Sequence, residues 1–227
     1  MTSEDAHGAA PVVTQATSVR TTTTPGSRWL VAGLVMWLIV LLIISTAVWR
    51  DKRTPGRVGV TPRRWPARSA LVHELYRPQL IMFLHPRCVC SRASLSELSA
   101  LVRSMQGRVA IEIAFGMPVG APASWSQGEL WDAARDIPGA RVVTDRDCIE
   151  ATRFGALTSG YTTLYDTTGS LMFAGGVTTA RGTQGDNPGL NRLSTLMAGG
   201  SAVRPTSPVF GCALTAPSSS RRSSDAR

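Results

Sequence analysis

The longest hydrophobic feature of the chain is an uncharged run from Trp29 to Trp49. As a helix rising 1.5 Å per residue, it is long enough to cross a hydrocarbon core about 30 Å thick. The tryptophans at its two ends suit the membrane interfaces. We therefore predict an uncleaved transmembrane helix over 29–49. A cleavable signal peptide is the alternative, because Ser45, Thr46 and Ala47 offer small residues for cleavage.

Polar segments flank this run and the region that follows it. Residues 1–28 are rich in threonine, serine, alanine and glycine, which predicts a disordered tail. Residues 50–68 carry six arginines, Lys52 and three prolines against one aspartate. That composition predicts a stiff, solvated linker whose cations contact anionic lipid headgroups. Residues 201–227 are predicted to be a C-terminal extension whose last part, from 216 onward, is disordered.

Residues 69–200 read as one α/β domain. Apolar runs predict strands at 80–84, 109–115 and 140–143, and a β-hairpin of 162–165 and 170–174. An i, i+3, i+4 pattern predicts a helix that begins near Ser91, with Ser91 or Ser94 as its N-cap. Shorter helices are predicted at 129–135, 148–154 and 190–198. This order predicts a mixed sheet with helices on both faces.

The positive charge of the chain lies outside the predicted domain. The net charge of +9 would by itself suggest a nucleic-acid partner. Residues 69–200, however, hold eleven arginines and eleven acidic residues, so the domain is neutral. We therefore predict no nucleic-acid partner, and assign the excess charge to the flanking segments and the membrane surface.

Cys88 and Cys90 lie in the turn between the first predicted strand and the helix. A helix N-terminus stabilises a thiolate, which predicts Cys88 as the nucleophile. Cys90 is then the resolving cysteine and the more enclosed of the two, and His85 tunes the thiolate. The alternatives are a site for Cu(I) or Zn(II) made of Cys88, Cys90 and His85, or a pair of ordinary buried cysteines.

Three further positions have candidate roles. Cys148 is predicted to be a half-buried helix cysteine. Cys212 lies in an apolar patch, 208–214, which should dock on the domain, and if it docks over the Cys88 turn Cys212 is a second resolving cysteine. Arg181 lies in a polar loop predicted to cap the turn and face an anion or substrate. Four cysteines allow three pairings, among which the sequence does not choose.

The order of elements resembles the thioredoxin fold, over about residues 70–200. The run Phe83-Leu84-His85-Pro86-Arg87-Cys88 places Cys88 where that family has its nucleophilic cysteine after a buried strand. Ser91 stands at the place of the second family cysteine, so the motif is a Cys-x-Cys-Ser variant. The stretch from Val142 through Gly155 to Gly169 is similar to one in membrane-anchored bacterial thioredoxins, with Gly160 at the place of the family's cis-proline. The whole is similar to the RedB-type thioredoxin-like proteins of bacteria.

This resemblance implies a thiol–disulfide oxidoreductase that acts on protein thiols or disulfides without a cofactor. It implies a substrate site that includes Gly160, Tyr161 and Arg181. A copper-binding assembly factor and an inactive thioredoxin-like protein that binds a partner are the alternatives.

The side of the membrane on which the domain lies is open at this stage. Dithiols of this kind are best maintained in an oxidising compartment, which favours an extracytoplasmic, periplasmic domain. The cations directly after the apolar run favour the cytoplasm under the positive-inside rule.

Overall fold

The computed structural model describes residues 25–105, 107–201 and 206–214. It forms two compact units, Met1–Thr46 and Ala47–Arg227. The predicted disorder of residues 1–24 and 216–227 falls outside the described residues.

Helix α1, Pro25–Arg53, contains the apolar run and is longer at both ends than predicted. Its most apolar stretch has a mean hydropathy of 2.7 and none of it is buried. A single helix of this length and composition near the N-terminus fits a membrane span and a signal sequence alike.

A mixed six-stranded sheet forms the centre of the second unit, as predicted. Its strands in chain order are β1 Gln79–Leu84, β2 Ala110–Met117, β3 Ala140–Arg146, β4 Tyr161–Tyr165, β5 Leu171–Gly175 and β6 Thr206–Ser207. Their order across the sheet is β3-β2-β1-β4-β5-β6. Strands β1, β2 and β3 run parallel, whereas β4 is antiparallel to both β1 and β5. The short strand β6, parallel to β5, was not predicted.

Helices cover both faces of this sheet, as predicted. They are α2 Val89–Met105, α3 Glu129–Arg135, α4 Ile149–Arg153 and α5 Pro188–Met197. Along β1, Leu80 and Met82 join the core beneath α2, α3 and α5, while Ile81 and Phe83 join the core on the α4 side. A strand buried on both faces needs apolar residues at every position, which explains its unbroken hydrophobic run.

The first turn of α2 differs from the prediction. The helix begins at Val89, so neither Ser91 nor Ser94 is its N-cap, and both serines are buried inside it. The hydroxyl of Ser91 donates instead to the carbonyl of His85, 3.0 Å away. This bond ties the helix back to the end of β1, and a pattern of apolar spacing does not reveal it.

The segment after α1 is part of the second unit, and its backbone is hydrogen-bonded there, which the prediction of a solvated linker did not include. The Gly59 N–H donates to the carbonyl of Gly155 at 2.8 Å, and the Trp65 N–H donates to that of Gly169 at 2.7 Å. The Trp65 ring lies 5.4 Å from that of Tyr165, edge to face. An extended chain presents free backbone groups, and one large aromatic ring anchors it despite the surrounding arginines.

The apolar patch near the C-terminus docks on the second unit, as predicted. Val209 and Leu214 are 1% and 5% exposed and belong to the α4-side core. Ala213 pairs with Thr158 in an antiparallel bridge just before β4. This docking places Cys212 at the end of β1.

Candidate thiol site

The turn that carries Cys88 is short and held by its own backbone. Strand β1 ends at Leu84, and Cys88 directly precedes the first residue of α2. The Cys88 N–H donates to the carbonyl of His85 at 3.2 Å, and the Ser91 N–H donates to the carbonyl of Cys88 at 3.0 Å. Cys88 therefore occupies the N-terminus of α2, and its carbonyl accepts a hydrogen bond from the first turn of that helix.

The C-terminal segment brings a third thiol to this turn. The Ser159 N–H donates to the carbonyl of Cys212 at 2.8 Å, and the Leu214 N–H donates to that of Leu157 at 3.0 Å. With the backbone so fixed, the sulfurs of Cys88, Cys90 and Cys212 all lie within 4.8 Å of one another. All are free thiols. We call these three residues the thiol cluster.

The environment of Cys88 favours its thiolate. Burial raises the pKa of this thiol, but hydrogen bonds more than offset that effect, and the net pKa lies below the ordinary value. The donors are the thiol and backbone N–H of Cys212 and the backbone N–H groups of Ser91 and Cys90. Donors aimed at a charged sulfur stabilise it, as at other helix N-termini.

The other two thiols of the cluster hold their protons more tightly. Burial, followed by the charge of Cys88, raises the pKa of Cys90. Burial and the hydrogen bond to Cys88 raise the pKa of Cys212 to about 12. The cluster therefore carries one negative charge, centred on Cys88, before a second thiol ionises.

The relative exposure of Cys88 and Cys90 is the opposite of the predicted one. Cys88 is 2% exposed, whereas Cys90 and Cys212 are half-buried. The prediction that Cys90 is the more enclosed cysteine is thus wrong, because Cys212 lies over Cys88. The most acidic thiol is at the bottom of the cluster, and the two less acidic thiols face outward.

His85 lies beside the turn without joining the thiol cluster. Its Nδ1 accepts a hydrogen bond from the Arg87 N–H at 3.1 Å. Burial, then the charge of Arg87, lowers the pKa of His85, so its ring is neutral near pH 7. The groups that lower the Cys88 pKa include Cys212, Ser91 and Cys90. The tuning of the thiolate by His85 stays a prediction.

Arg181 is placed beside the thiol cluster by the loop between β5 and α5. Its charge lowers the pKa of both Cys90 and Cys212 against the larger effect of burial. Its backbone N–H donates to the carbonyl of Lys52 at 2.9 Å. In the described part of the chain its buried Nε has no hydrogen-bond partner.

Gly160 and Tyr161, the predicted substrate-site residues, are both buried at the start of β4. The Gly160 N–H donates to the carbonyl of Phe83 at 2.8 Å, and its φ is +89°. No cis peptide bond occurs among the described residues. Tyr161 is 3% exposed, and its hydroxyl is hydrogen-bonded to that of Thr61.

Ser159 is a site residue that sequence reasoning missed. Its Oγ accepts the His85 N–H at 2.8 Å and lies 2.7 Å from the Ser91 Oγ. Both serines are buried, and together they join the turn, the helix and the loop before β4. A serine near an expected substrate loop is too common to stand out in sequence.

Cys148 lies apart from the cluster. It is 3% exposed, more buried than predicted, and its Sγ donates to the carbonyl of Leu214 at 3.3 Å. Burial, with the charges of Asp145 and Asp147, raises its pKa to about 11. Its left-handed backbone, φ +52°, places it before α4 and not inside that helix.

Comparison with known proteins reveals structural likeness only. No protein-family model matches the sequence, and no curated protein matches it significantly. An uncharacterised conserved protein from Geobacillus kaustophilus is similar over 74% of this chain and 92% of its own, at 16% identity and a TM-score of 0.53. A hypothetical protein from Sinorhizobium meliloti 1021 is similar over 73% and 96%, at 17% identity and a TM-score of 0.51.

A thioredoxin-like protein solved in its oxidised form overlaps less well. It covers 66% of this chain and 97% of its own, at 16% identity and a TM-score of 0.41. The first two likenesses, at these low identities, bear on the fold alone, and this third overlap is too loose to add to them. In this chain a central β1 leads through a cysteine-bearing turn into α2, with β2 parallel on one side and the β4–β5 hairpin antiparallel on the other. The chain has a thioredoxin-like fold.

Proposed function

We propose that the chain is a thiol–disulfide oxidoreductase of the RedB-like type that acts on thiols or disulfides of partner proteins. The observation that carries the proposal is the set of donors around Cys88. Its sulfur receives hydrogen bonds from helix N–H groups and from Cys212, and two other thiols lie within 4.8 Å. A stabilised thiolate with a second thiol in reach is what disulfide exchange requires.

Exchange follows from the different acidity and exposure of the sulfurs. In the oxidised protein, Cys88 and Cys212 form the disulfide. A partner thiolate attacks Cys212, the more exposed sulfur, and Cys88 leaves as the thiolate because its pKa is the lowest. The partner's second thiolate then attacks the mixed disulfide and releases Cys212, which takes up a proton. The partner loses two electrons and the thiol cluster gains them.

Cys90 is the second candidate for the resolving role. It lies one residue into α2, on the outward side of the cluster, and the raised pKa keeps it protonated until Cys88 has left. A disulfide between Cys88 and Cys90 would close a tight i, i+2 loop, whereas Cys212 comes from a separate segment that docks beside the turn. For this reason the Cys88–Cys212 pair is the stronger choice.

The place of action in this proposal is the membrane surface, with the domain on the extracytoplasmic side. Support comes from the length and apolar character of α1 and from the proposed disulfide between Cys88 and Cys212, a bond that persists best in an oxidising compartment. A fusion at residue 227 to a reporter active only outside the cytoplasm should give activity. Activity from a cytoplasmic reporter at the same position would contradict this orientation.

The exchange activity is tested on the reduced full-length protein in detergent. The probe is a glutathione disulfide whose two fluorophores are quenched until it is reduced. Because the mixed disulfide forms on Cys212 and Cys88 resolves it, Cys212→Ser should abolish the fluorescence increase. Cys88→Ser should leave the mixed disulfide trapped on Cys212. Cys148→Ser is the matched control, because it makes the same substitution at a buried thiol outside the cluster.

Two results would count against the proposal. Cys88→Ser with the activity of the wild type would remove Cys88 from the reaction. A wild-type protein that neither reduces the probe nor forms an internal disulfide with diamide would favour the inactive, partner-binding alternative.

A further inference from the structure

The thiol cluster has the composition and spacing of a ligand set for a single soft metal ion. It offers three sulfur atoms, each within 4.8 Å of the other two. For three points so spaced, the central point is at most about 2.8 Å from each, and a typical zinc–thiolate bond is about 2.3 Å. A closure of about half an ångström at each sulfur therefore brings all three to bonding distance.

The protein holds these sulfurs in place without a metal. Cys88 and Cys90 are fixed by the start of α2, and Cys212 by the paired backbone of 157–159 and 212–214. Val209 and Leu214 are buried on either side of Cys212 and prevent the segment from sliding. Ligands held before binding lose little freedom when the ion arrives.

The donor set selects among metals. In the described part of the chain, no histidine or carboxylate shares the group, and the Nδ1 of His85 already accepts the Arg87 N–H. Structural zinc sites almost always take four ligands, whereas soft thiolates favour Cu(I). Three sulfurs without a fourth donor therefore favour Cu(I) over Zn(II).

The surroundings supply compensating charge. Three thiolates around a monovalent ion leave a net charge of −2, which is unfavourable in a half-buried site. The Arg181 charge acts on both Cys90 and Cys212, and its buried Nε lacks a hydrogen-bond partner among the described residues. The N-terminus of α2 adds its partial positive charge beside Cys88.

We propose that Cys88, Cys90 and Cys212 together bind one Cu(I) ion as three thiolate ligands in the reduced protein. The site differs from the one predicted from sequence, because Cys212 takes the place of His85. Binding does not depend on the exchange reaction, but the two uses exclude each other, since a disulfide removes two ligands. Bound Cu(I) should accordingly protect the cluster from oxidation by diamide.

The proposal is tested by titrating the reduced, full-length protein in detergent with Cu(I) under anaerobic conditions. Bicinchoninate, a coloured Cu(I) chelator, competes and reports the free ion. We expect one Cu(I) per chain, and a loss of affinity of more than tenfold in Cys88→Ser, Cys90→Ser and Cys212→Ser. That is at least the effect of removing an outer partner of a metal ligand. Cys148→Ser and His85→Ala should bind as the wild type does.

X-ray absorption of the copper-loaded wild type gives a second readout that needs no variant. It should show three sulfur ligands and no nitrogen. A nitrogen ligand, an unchanged affinity in Cys212→Ser, or Zn(II) bound as tightly as Cu(I) would each overturn the proposal. Because no disulfide partner is present, these outcomes are separate from failure of the exchange assay.

Discussion

The sulfurs of Cys212 and Cys88 lie within 4.8 Å of each other, and a hydrogen bond from the Cys212 thiol to Cys88 joins the docked C-terminal segment to the turn before α2. The bond acts on the two groups in opposite directions, lowering the pKa of Cys88 and raising that of Cys212. The acidity of the central thiol is thus set by a residue distant in sequence, and not by the Cys-x-Cys motif alone.

This bond predicts how Cys212 variants titrate. Cys212→Ala removes the side-chain donor and should raise the pKa of Cys88, whereas Cys212→Ser keeps an O–H donor and should raise it less. Ultraviolet thiolate absorbance followed against pH measures both. Equal titration curves for wild type and Cys212→Ala would mean that the helix N–H groups alone set the acidity of Cys88.

Arg181 should act on the outward-facing thiols. In Arg181→Met the pKa values of Cys90 and Cys212 are expected to rise further, because the charge that lowers them is gone. The same thiolate titration should show the later ionisations displaced to higher pH. Arg192→Met is the matched control, since that guanidinium donates to the Thr206 carbonyl at the sheet edge. An equal shift in both variants would indicate a general effect of net charge.

Gly160→Pro should destabilise the protein instead of restoring a thioredoxin-like cis-proline. Proline holds φ near −65°, whereas Gly160 has φ +89° and donates its N–H to Phe83. We expect a loss of about 3 kcal/mol or more in the free energy of unfolding, measured with urea.

Gly160→Ala is the control for this substitution. It keeps the N–H, but its Cβ would come 2.7 Å from the Ser94 Oγ at an unfavourable φ, so a smaller loss is expected. A Gly160→Pro protein as stable as the wild type would show that this loop can rearrange.

Ser159→Ala should loosen the cysteine turn. The partly buried His85 N–H would lose its acceptor, which costs about 1 kcal/mol or more of the free energy of unfolding. Urea unfolding of Ser159→Ala, Ser91→Ala and the double variant measures the coupling between the two hydroxyls. Strictly additive losses would mean that their 2.7 Å contact contributes nothing of its own.

Trp65→Ala tests whether the segment after α1 is part of the folded unit in solution. Its ring contacts those of Phe154 and Tyr165, at 5.2 and 5.4 Å between centroids. We expect the free energy of unfolding, measured with urea, to fall by about 2 kcal/mol or more. This is less than the 3–5 kcal/mol typical of replacing a fully buried tryptophan by alanine. Val60→Ala, in the same segment and 92% exposed, should change little. Equal stabilities of Trp65→Ala and Val60→Ala would support the prediction that this segment is a solvated linker.

Much of the fold could be predicted because each element carries its own periodicity. The unbroken apolar run of β1 is typical of a strand that is buried on both faces. The i, i+3, i+4 spacing of apolar residues in α2 is typical of a helix that is buried on one face. The N-terminus of α2 was misplaced because Ser91 bonds to the preceding strand instead of capping the helix. Such a bond exists only in the folded structure.

The site was harder to predict, since its parts are separated along the chain. Cys88 stood out by its place between a strand and a helix, and the apolar patch around Cys212 could be predicted to dock. Where it docks depends on the backbone groups of residues 157–159, which have no signature in sequence. The arginine content of residues 50–68 predicted a solvated linker and gave no sign of its docking. Backbone hydrogen bonds and the Trp65 ring, which composition does not reveal, hold the segment in place.

The late position of Cys212 in the chain has a consequence for biosynthesis. A ribosome exposes the Cys88–Cys90 turn, the hairpin and α5 before the segment that completes the site. A nascent chain therefore presents two thiols without the covering third, and Cys88 acquires its full set of donors only when residues up to Leu214 have emerged and paired with 157–159. The reactivity of the Cys88 thiol should therefore change in one step when this segment docks. That change marks the completion of folding.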